Sequence, residues 1–250
     1  MSTTMLFYKN VTALSRDSHK KLKLDPVNGF DMAANTHWLP VVGGEFYQAS
    51  PHYPIVFAAE TKEGKEIITP ILLLGLEAGH NDYVAKDMSW KAGTYLPAFV
   101  RRYPFVLAST DQESKDFTIC FDKDFAGFNE KKGKELFNKD GSNSEFLDET
   151  IKFMNGFTVE MERTKEFVAL LSKFQLLEKR NAEITSSTGA SFKVQDFHVV
   201  SEDKLAKLTG EELVELNQKG YLGWIIAHLM SLANLPKLLD MHLENRKSAK

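Results

Sequence analysis

The chain has 250 residues, 43% of them hydrophobic and 26% charged, which is the composition of an ordinary globular protein and excludes disorder as the default. Thirty-four acidic against 31 basic residues leave a formal charge of -3, so no overall field draws the chain to nucleic acid or to anionic lipid. The lone Cys120 has no CxxC or Cys/His companion, which excludes an internal disulfide and makes a buried structural thiol in a reducing compartment the simplest reading.

The N-terminal stretch carries only the short apolar group "MLFY", so export by the usual signal is not expected, and no apolar run is long and uninterrupted enough to predict a spanning helix. Up to about residue 125, "PIVFAAE", "EIITPILLLGL", "FVLAST" and "FTICFDK" read as short buried strands bounded by turn residues. "ETKEGKEI" suits a hairpin turn at Gly64, and "STDQESKDFT" a second polar turn, so antiparallel pairing is the economical topology. The charged, glycine-bearing stretch 127–144 is expected to cross the surface as a loop and marks any lobe seam in what is otherwise a single domain over 1–250.

Ser142 and Glu145 have capping-box spacing, and the apolar residues from Phe146 to Leu177 recur near helical spacing, predicting one long helix or a broken pair. Residues 182–200 return as a strand or hairpin turned at Gly189. Thr209 and Glu212 then cap a helix that Gly220 ends. The final "YLGWIIAHLMSLANLPKLLDMHL" is apolar on nearly every face through residue 235, as a central packed helix requires, with Pro236 placed to kink or split it and the basic end "ENRKSAK" expected to fray. The fold class is therefore α+β: a mostly antiparallel N-terminal sheet region packed with a helical C-terminal half.

Chemistry-bearing patterns are sparse. The sequence has neither a G-x-S-x-G elbow nor a phosphate-binding glycine loop, and Glu45 after "GG" stands as an isolated carboxylate. His80 and Asp82 in "GHNDYV" have the spacing of the first two ligands of a two-His-one-carboxylate iron site, with the distal histidine to be chosen among His198, His228 and His242. A solvated turn after "ILLLGL" is the expected role of that stretch. His228, flanked by Trp224 and Ser231 on one helix face, is expected as a buried neutral imidazole satisfied by a backbone or hydroxyl partner.

The densest pattern is "YLPAFVRRYPFVLAS" at 95–109, where Arg101 and Arg102 lie between Pro97 and Pro104 among aromatic residues. Strand alternation would send the two guanidiniums to opposite faces, leaving one in solvent and one in need of carboxylates, carbonyls or a bound anion. Tyr95 and Tyr103 can stack on them, and His52, Tyr53 and Glu45 complete the candidate ligand-binding set. An internal clamp and recognition of a ligand carboxylate both fit this pattern.

"HWLPVV" with Glu45 beyond it, "HYPIVFA", "YLPAFVRRYPFVLA", "ICFDKDF", the "ELFNKDG" turn and "GYLGWIIAHLMSLANLPKLL" together resemble the bacterial SapC family, which is associated with surface-layer loci. The resemblance covers most of the chain and brings no established reaction or catalytic residue. Family members carry a stretch resembling "GENLFV" where this chain has "GHNDYV", so a metal centre common to the family is not implied. The expectation is a cytoplasmic accessory protein that binds or handles a peptide, protein or small carboxylate ligand connected with surface-protein or nutrient-uptake systems, with no cofactor, nucleic acid or transmembrane segment. A metal-dependent iron oxygenase using His80 and Asp82, or the metal-free partner of one, is the enzymatic alternative, and a purely structural homo-oligomer is a third.

Overall fold

The computed structural model describes residues 6–26, 29–109 and 117–247. In chain order the elements are β1 (Val11–Ala13), α1 (Arg16–His19), β2 (Lys23–Leu24), β3 (Trp38–Pro40), α2 (Phe46–Ala49), β4 (Ile55–Lys62), β5 (Lys65–Leu73), α3 (Ala98–Arg101), β6 (Phe105–Ser109) and β7 (Phe117–Asp122). They continue with β8 (Phe128–Asn129), β9 (Lys134–Glu135), α4 (Glu145–Lys173), β10 (Leu177–Thr185), β11 (Ser191–Val200), α5 (Glu202–Leu205), α6 (Gly210–Gln218), α7 (Tyr221–Ser231) and α8 (Leu235–Lys247). Strand pairing is antiparallel in three sheets, ordered β1-β7-β6, β10-β11-β4-β5-β3 and β8-β2-β9. The fold is α+β with a helical C-terminal half.

Two compact units share the chain. The first takes Met1–Gly29 and Ala98–Val159, the second Phe30–Pro97 and Glu160–Lys250, and the family of segments in each interleaves along the sequence. In the first unit, Phe105, Phe121, Leu136, Phe137, Leu147 and Met154 form a buried cluster. Cys120 is buried on β7, and burial pushes its thiol above the usual value, as an inert core thiol requires. The turn expected between β6 and β7 falls at 110–116, outside the described residues.

Stretch 127–144 lies within the first unit and is more than a surface loop. Its apolar pair Leu136 and Phe137 is buried, and β8 and β9 pair on either side of β2, so short ladders satisfy backbone groups that a plain loop would leave to water. The capping residue of α4 is Ser144 rather than Ser142: Ser144 Oγ accepts from Leu147 N–H, while Ser142 Oγ donates to Asp140. The helix is unbroken over 29 residues.

In the second unit the hairpin β4–β5 turns at Glu63 and Gly64, both at positive φ. Phe46, Phe57, Phe167, Tyr221 and Trp224 pack as an aromatic cluster. Gly43 lies so close to this cluster that a Cβ there would sit 2.1 Å from the Trp224 ring. Thr209 and Glu212 form the expected capping box, and Gly220 adopts φ 77° at the end of α6. A 3-10 turn, Leu232–Asn234, separates α7 from α8 next to Pro236.

Among the described residues, Tyr221–Lys247 is the one stretch long and apolar enough by length and composition to cross a membrane, and 50% of its most apolar window is buried in the protein. Its basic end is helical as far as Lys247, with Asn245 and Arg246 hydrogen-bonded to Asp82 and Glu77, and residues 248–250, also expected to fray, lie outside the described residues.

Candidate functional site

The arginine segment is helical where strand alternation was expected. Pro97 precedes one turn of helix, α3, and the Arg102 N–H closes on the Ala98 carbonyl at 2.9 Å before β6 begins at Phe105. The two guanidiniums still part company, since successive helical residues point about 100° apart. Arg101 is exposed and lies over the Phe153 ring at 5.2 Å. Arg102 is 4% exposed and is surrounded by rings, 3.9 Å from the Phe99 centroid, 5.2 Å from Phe157 and 5.9 Å from Tyr8.

Burial pulls the Arg102 guanidinium below its usual range, and Tyr8 beside it opposes that pull. The Tyr8 hydroxyl is pushed up to about 12, chiefly by burial, with Arg102 working against the rise, and it donates to the Phe105 carbonyl. Tyr103 donates to Asp122 Oδ2 at 3.1 Å. Asp122 also accepts from the backbone N–H groups of Lys9, Asn10 and Asp124, which ties the N-terminal strand region to the end of β7.

Arg101 and Arg102 open onto a cleft of ≈ 420 Å³, within the range of small-ligand sites. Its apolar walls include Leu24, Phe105, Phe146 and Phe153, and Lys134 supplies a second surface cation, its Nζ 4.9 Å from the Phe146 ring centroid. Glu149 and Thr150, one turn apart from Phe146 and Phe153 on α4, complete the rim. Two exposed cations over aromatic walls suit an anionic group flanked by apolar surface. A hollow of ≈ 470 Å³ in the second unit has the opposite sign, with Glu183, Glu202 and Asp203 against Arg180.

The other predicted ligand-binding residues belong to the second unit, where they form their own network. Tyr53 is fully buried, donates to the Tyr95 carbonyl and accepts from Trp90 Nε1 at 3.0 Å; burial pushes its hydroxyl up to about 12. Tyr95 donates to Glu45 Oε1 at 2.8 Å, so Glu45, 6% exposed, is a bonded interior carboxylate and not an isolated one. The His52 carbonyl accepts from Tyr83 Oη at 2.7 Å, and the His52 ring lies 6.2 Å from that of Tyr53.

The "HND" turn is interior, contrary to the solvated turn expected. Asn81 is 1% exposed and bridges the Ala33 carbonyl and the Tyr83 N–H, while Asp82 is 4% exposed. Of the three histidines weighed as companions to His80 and Asp82, His242 is the one that joins them. His198 sits on β11, and His228 is a neutral interior ring between two backbone groups.

Sequence reasoning missed Lys134, Phe146 and Phe153, which reach the cleft from β9 and α4. The available signal was Phe146 and Phe153, seven residues and so about two turns apart on one face of α4. A protein-family model described as SapC matches residues 14–238, across both units. None of the curated proteins and no solved structure matches the chain.

Proposed function

The chain belongs to the SapC family, and from that premise we propose that it is a binding protein whose first unit holds the carboxylate of a peptide or small metabolite in the Arg101 cleft. The carrying observation is the convergence of Arg101 and Lys134 on a cleft of ≈ 420 Å³ walled by Phe105, Phe146 and Phe153. Arg101 offers a planar fork for two carboxylate oxygens, Lys134 a point charge, and the rings take the apolar group next to the carboxylate. Arg102 is the architectural member of the pair: its ring-lined surroundings fix the turn that presents Arg101. The accessory role we assign is cytoplasmic handling of such ligands for surface-protein or nutrient-uptake systems.

The test is calorimetric titration of the full chain with a panel of short peptides ending in an apolar residue, each as free acid and as C-terminal amide. Free acids should bind and amides should bind at least tenfold more weakly, with a similar loss in Arg101→Ala and Lys134→Ala, because a charge-assisted hydrogen bond contributes about 1.5–3 kcal/mol. Equal binding of acid and amide, or undiminished binding by both folded variants, refutes the carboxylate site.

A further inference from the structure

His80, Asp82 and His242 bring three potential ligand atoms within 4.8 Å of one another, all in the second unit. Asp82 Oδ1 lies 3.0 Å from His80 Nε2, and Oδ2 lies 2.9 Å from His242 Nδ1. Donors sharing one ion at roughly 2.1 Å are separated by roughly 3.0–3.4 Å in octahedral or tetrahedral geometry, so each imidazole already stands about one such separation from an oxygen of the Asp82 carboxylate, and a shared ion would gather the three donors from the 4.8 Å within which they lie.

Two elements build the cluster. The turn after β5 supplies Glu77, His80 and Asp82, and it is held close: a Cβ on Gly75 would stand 2.0 Å from the His80 carbonyl oxygen. One face of α8 supplies His242, Asn245 and Arg246 at i, i+3 and i+4. Asn245 Nδ2 donates to Asp82 Oδ1 at 3.0 Å and to its carbonyl at 3.1 Å, and Arg246 pairs with Glu77.

Proton bookkeeping at His242 separates the occupants. The ring is 2% exposed, its Nε2 is buried without a hydrogen bond, and Glu77 Oε1 stands 3.6 Å from that nitrogen. A neutral ring carries one N–H. Placed on Nδ1 it serves Asp82 but turns a bare Nε2 lone pair toward the Glu77 carboxylate. Placed on Nε2 it points at Glu77 but sets the Nδ1 lone pair against a carboxylate oxygen 2.9 Å away.

A cation between Nδ1, Asp82 and His80 removes the second conflict. It also leaves Nε2–H directed at a carboxylate, which is how the outer shell usually orients a metal-bound histidine. The Asp82 side chain is fully buried while that of His80 is 45% exposed, so one side of the cluster is open to solvent.

We infer that His80 Nε2, the Asp82 carboxylate and His242 Nδ1 form a binding site for one divalent first-row transition ion, with Glu77 orienting His242 and Asn245 orienting Asp82. Two imidazoles and one carboxylate favour Zn²⁺, Fe²⁺ or Co²⁺ over Mg²⁺ or Ca²⁺, and three protein ligands leave coordination positions open toward the exposed side of His80 for water or an oxygen-donor ligand. The competing occupant is a second proton on His242, serving Asp82 and Glu77 at once.

The experiment strips the full chain with chelator and titrates it with Co²⁺, followed by its visible spectrum, and with Zn²⁺ in competition. One ion per chain should bind, His80→Ala and Asp82→Asn should weaken affinity at least tenfold, and Glu77→Gln should weaken it ~10–100-fold. His19→Ala, in the first unit, should change nothing. Because His80 is half-exposed, its variant should melt like the wild type without metal, which keeps the test valid even if a His242 variant does not fold. Failure of the folded wild type to take up one equivalent, or equal affinity in His80→Ala, overturns the site. No cleft residue enters this measurement, so its outcome is independent of the peptide titrations.

Discussion

His228 should set an acid limit on the stability of the second unit. β11 and β4 pair directly at His198↔Phe57, and the same antiparallel register would next oppose Val200 to Ile55. There the imidazole takes the place of a direct backbone bond: Nε2 accepts from Val200 N–H at 3.0 Å and Nδ1 donates to the Ile55 carbonyl at 2.9 Å. Both ring nitrogens are committed, so the neutral tautomer is fixed and a second proton would confront the Val200 N–H.

Burial holds this imidazole well below the usual 6.5, at about 4, with the bond to Ile55 opposing the fall. Between those values the unfolded chain binds a proton that the folded chain refuses, so stability rises with pH through the window. The contribution is complete above pH 6.5 and falls by about 1.4 kcal/mol per pH unit on acidification, about 3 kcal/mol by pH 4.

The perturbation is His228→Gln, which keeps a donor and an acceptor but cannot titrate. The assay is urea unfolding from pH 4 to 7.5 by tryptophan fluorescence. Trp38, Trp90 and Trp224 all lie in the second unit, so the signal reports that unit. At pH 7 the variant should be less stable by about 1–3 kcal/mol, since the amide cannot span both partners equally well. Its disadvantage should shrink or reverse by pH 4. His37, also held below its usual value by burial, titrates in both proteins and cancels from the difference. A difference between wild type and variant that stays constant across the window refutes the reasoning.

Arg101→Ala should lower the unfolding free energy by no more than about 0.5 kcal/mol while Arg102→Ala costs more than about 1 kcal/mol, because Arg102 is buried among three rings and Arg101 is exposed over one; equal effects would remove the division of roles. Asp122→Ala strands the N–H groups of Lys9 and Asn10 and the Tyr103 hydroxyl, and should cost about 2–5 kcal/mol in the first unit, read by hydrogen exchange of β1, β6 and β7. Thr209→Ala removes the acceptor for the Glu212 N–H and the reciprocal capping box, and should lower stability by about 1 kcal/mol in urea unfolding; an unchanged midpoint would mean the α6 cap contributes nothing.

Local rules made much of this architecture readable. The β4–β5 hairpin followed from Gly64 in a charged stretch between two short apolar runs, α6 from Thr209 and Glu212, and the break before α8 from Pro236, since each depends on residues a few positions apart. The first unit was harder to see because its segments lie on both sides of Phe30–Pro97 in the chain. Stretch 127–144 looked like surface loop because charges outnumber apolar residues there, yet two of the few apolar ones, Leu136 and Phe137, are core. Composition averages over a segment, whereas packing selects single residues from it.

The two candidate sites differ in how much of each was written locally. Arg101 and Arg102 are adjacent, and sequence alone required them to face different surroundings; it could not say that a helical turn rather than a strand would separate them, because Pro97 is compatible with entry into either. Lys134 and Phe153 join Arg101 only through the pairing of β9 with β2 and the docking of α4, which no spacing encodes. In the second unit the "HxD" pair is local, but its third member is 160 positions away on α8. The recoverable signal there was a polar stripe: His242, Asn245 and Arg246 at i, i+3 and i+4 share one face of α8 and so can all meet the same neighbour. His242 is buried and must have a polar partner, and the acidic turn carrying Glu77 and Asp82 is that partner, with half-buried Asn245 and exposed Arg246 extending the same stripe outward.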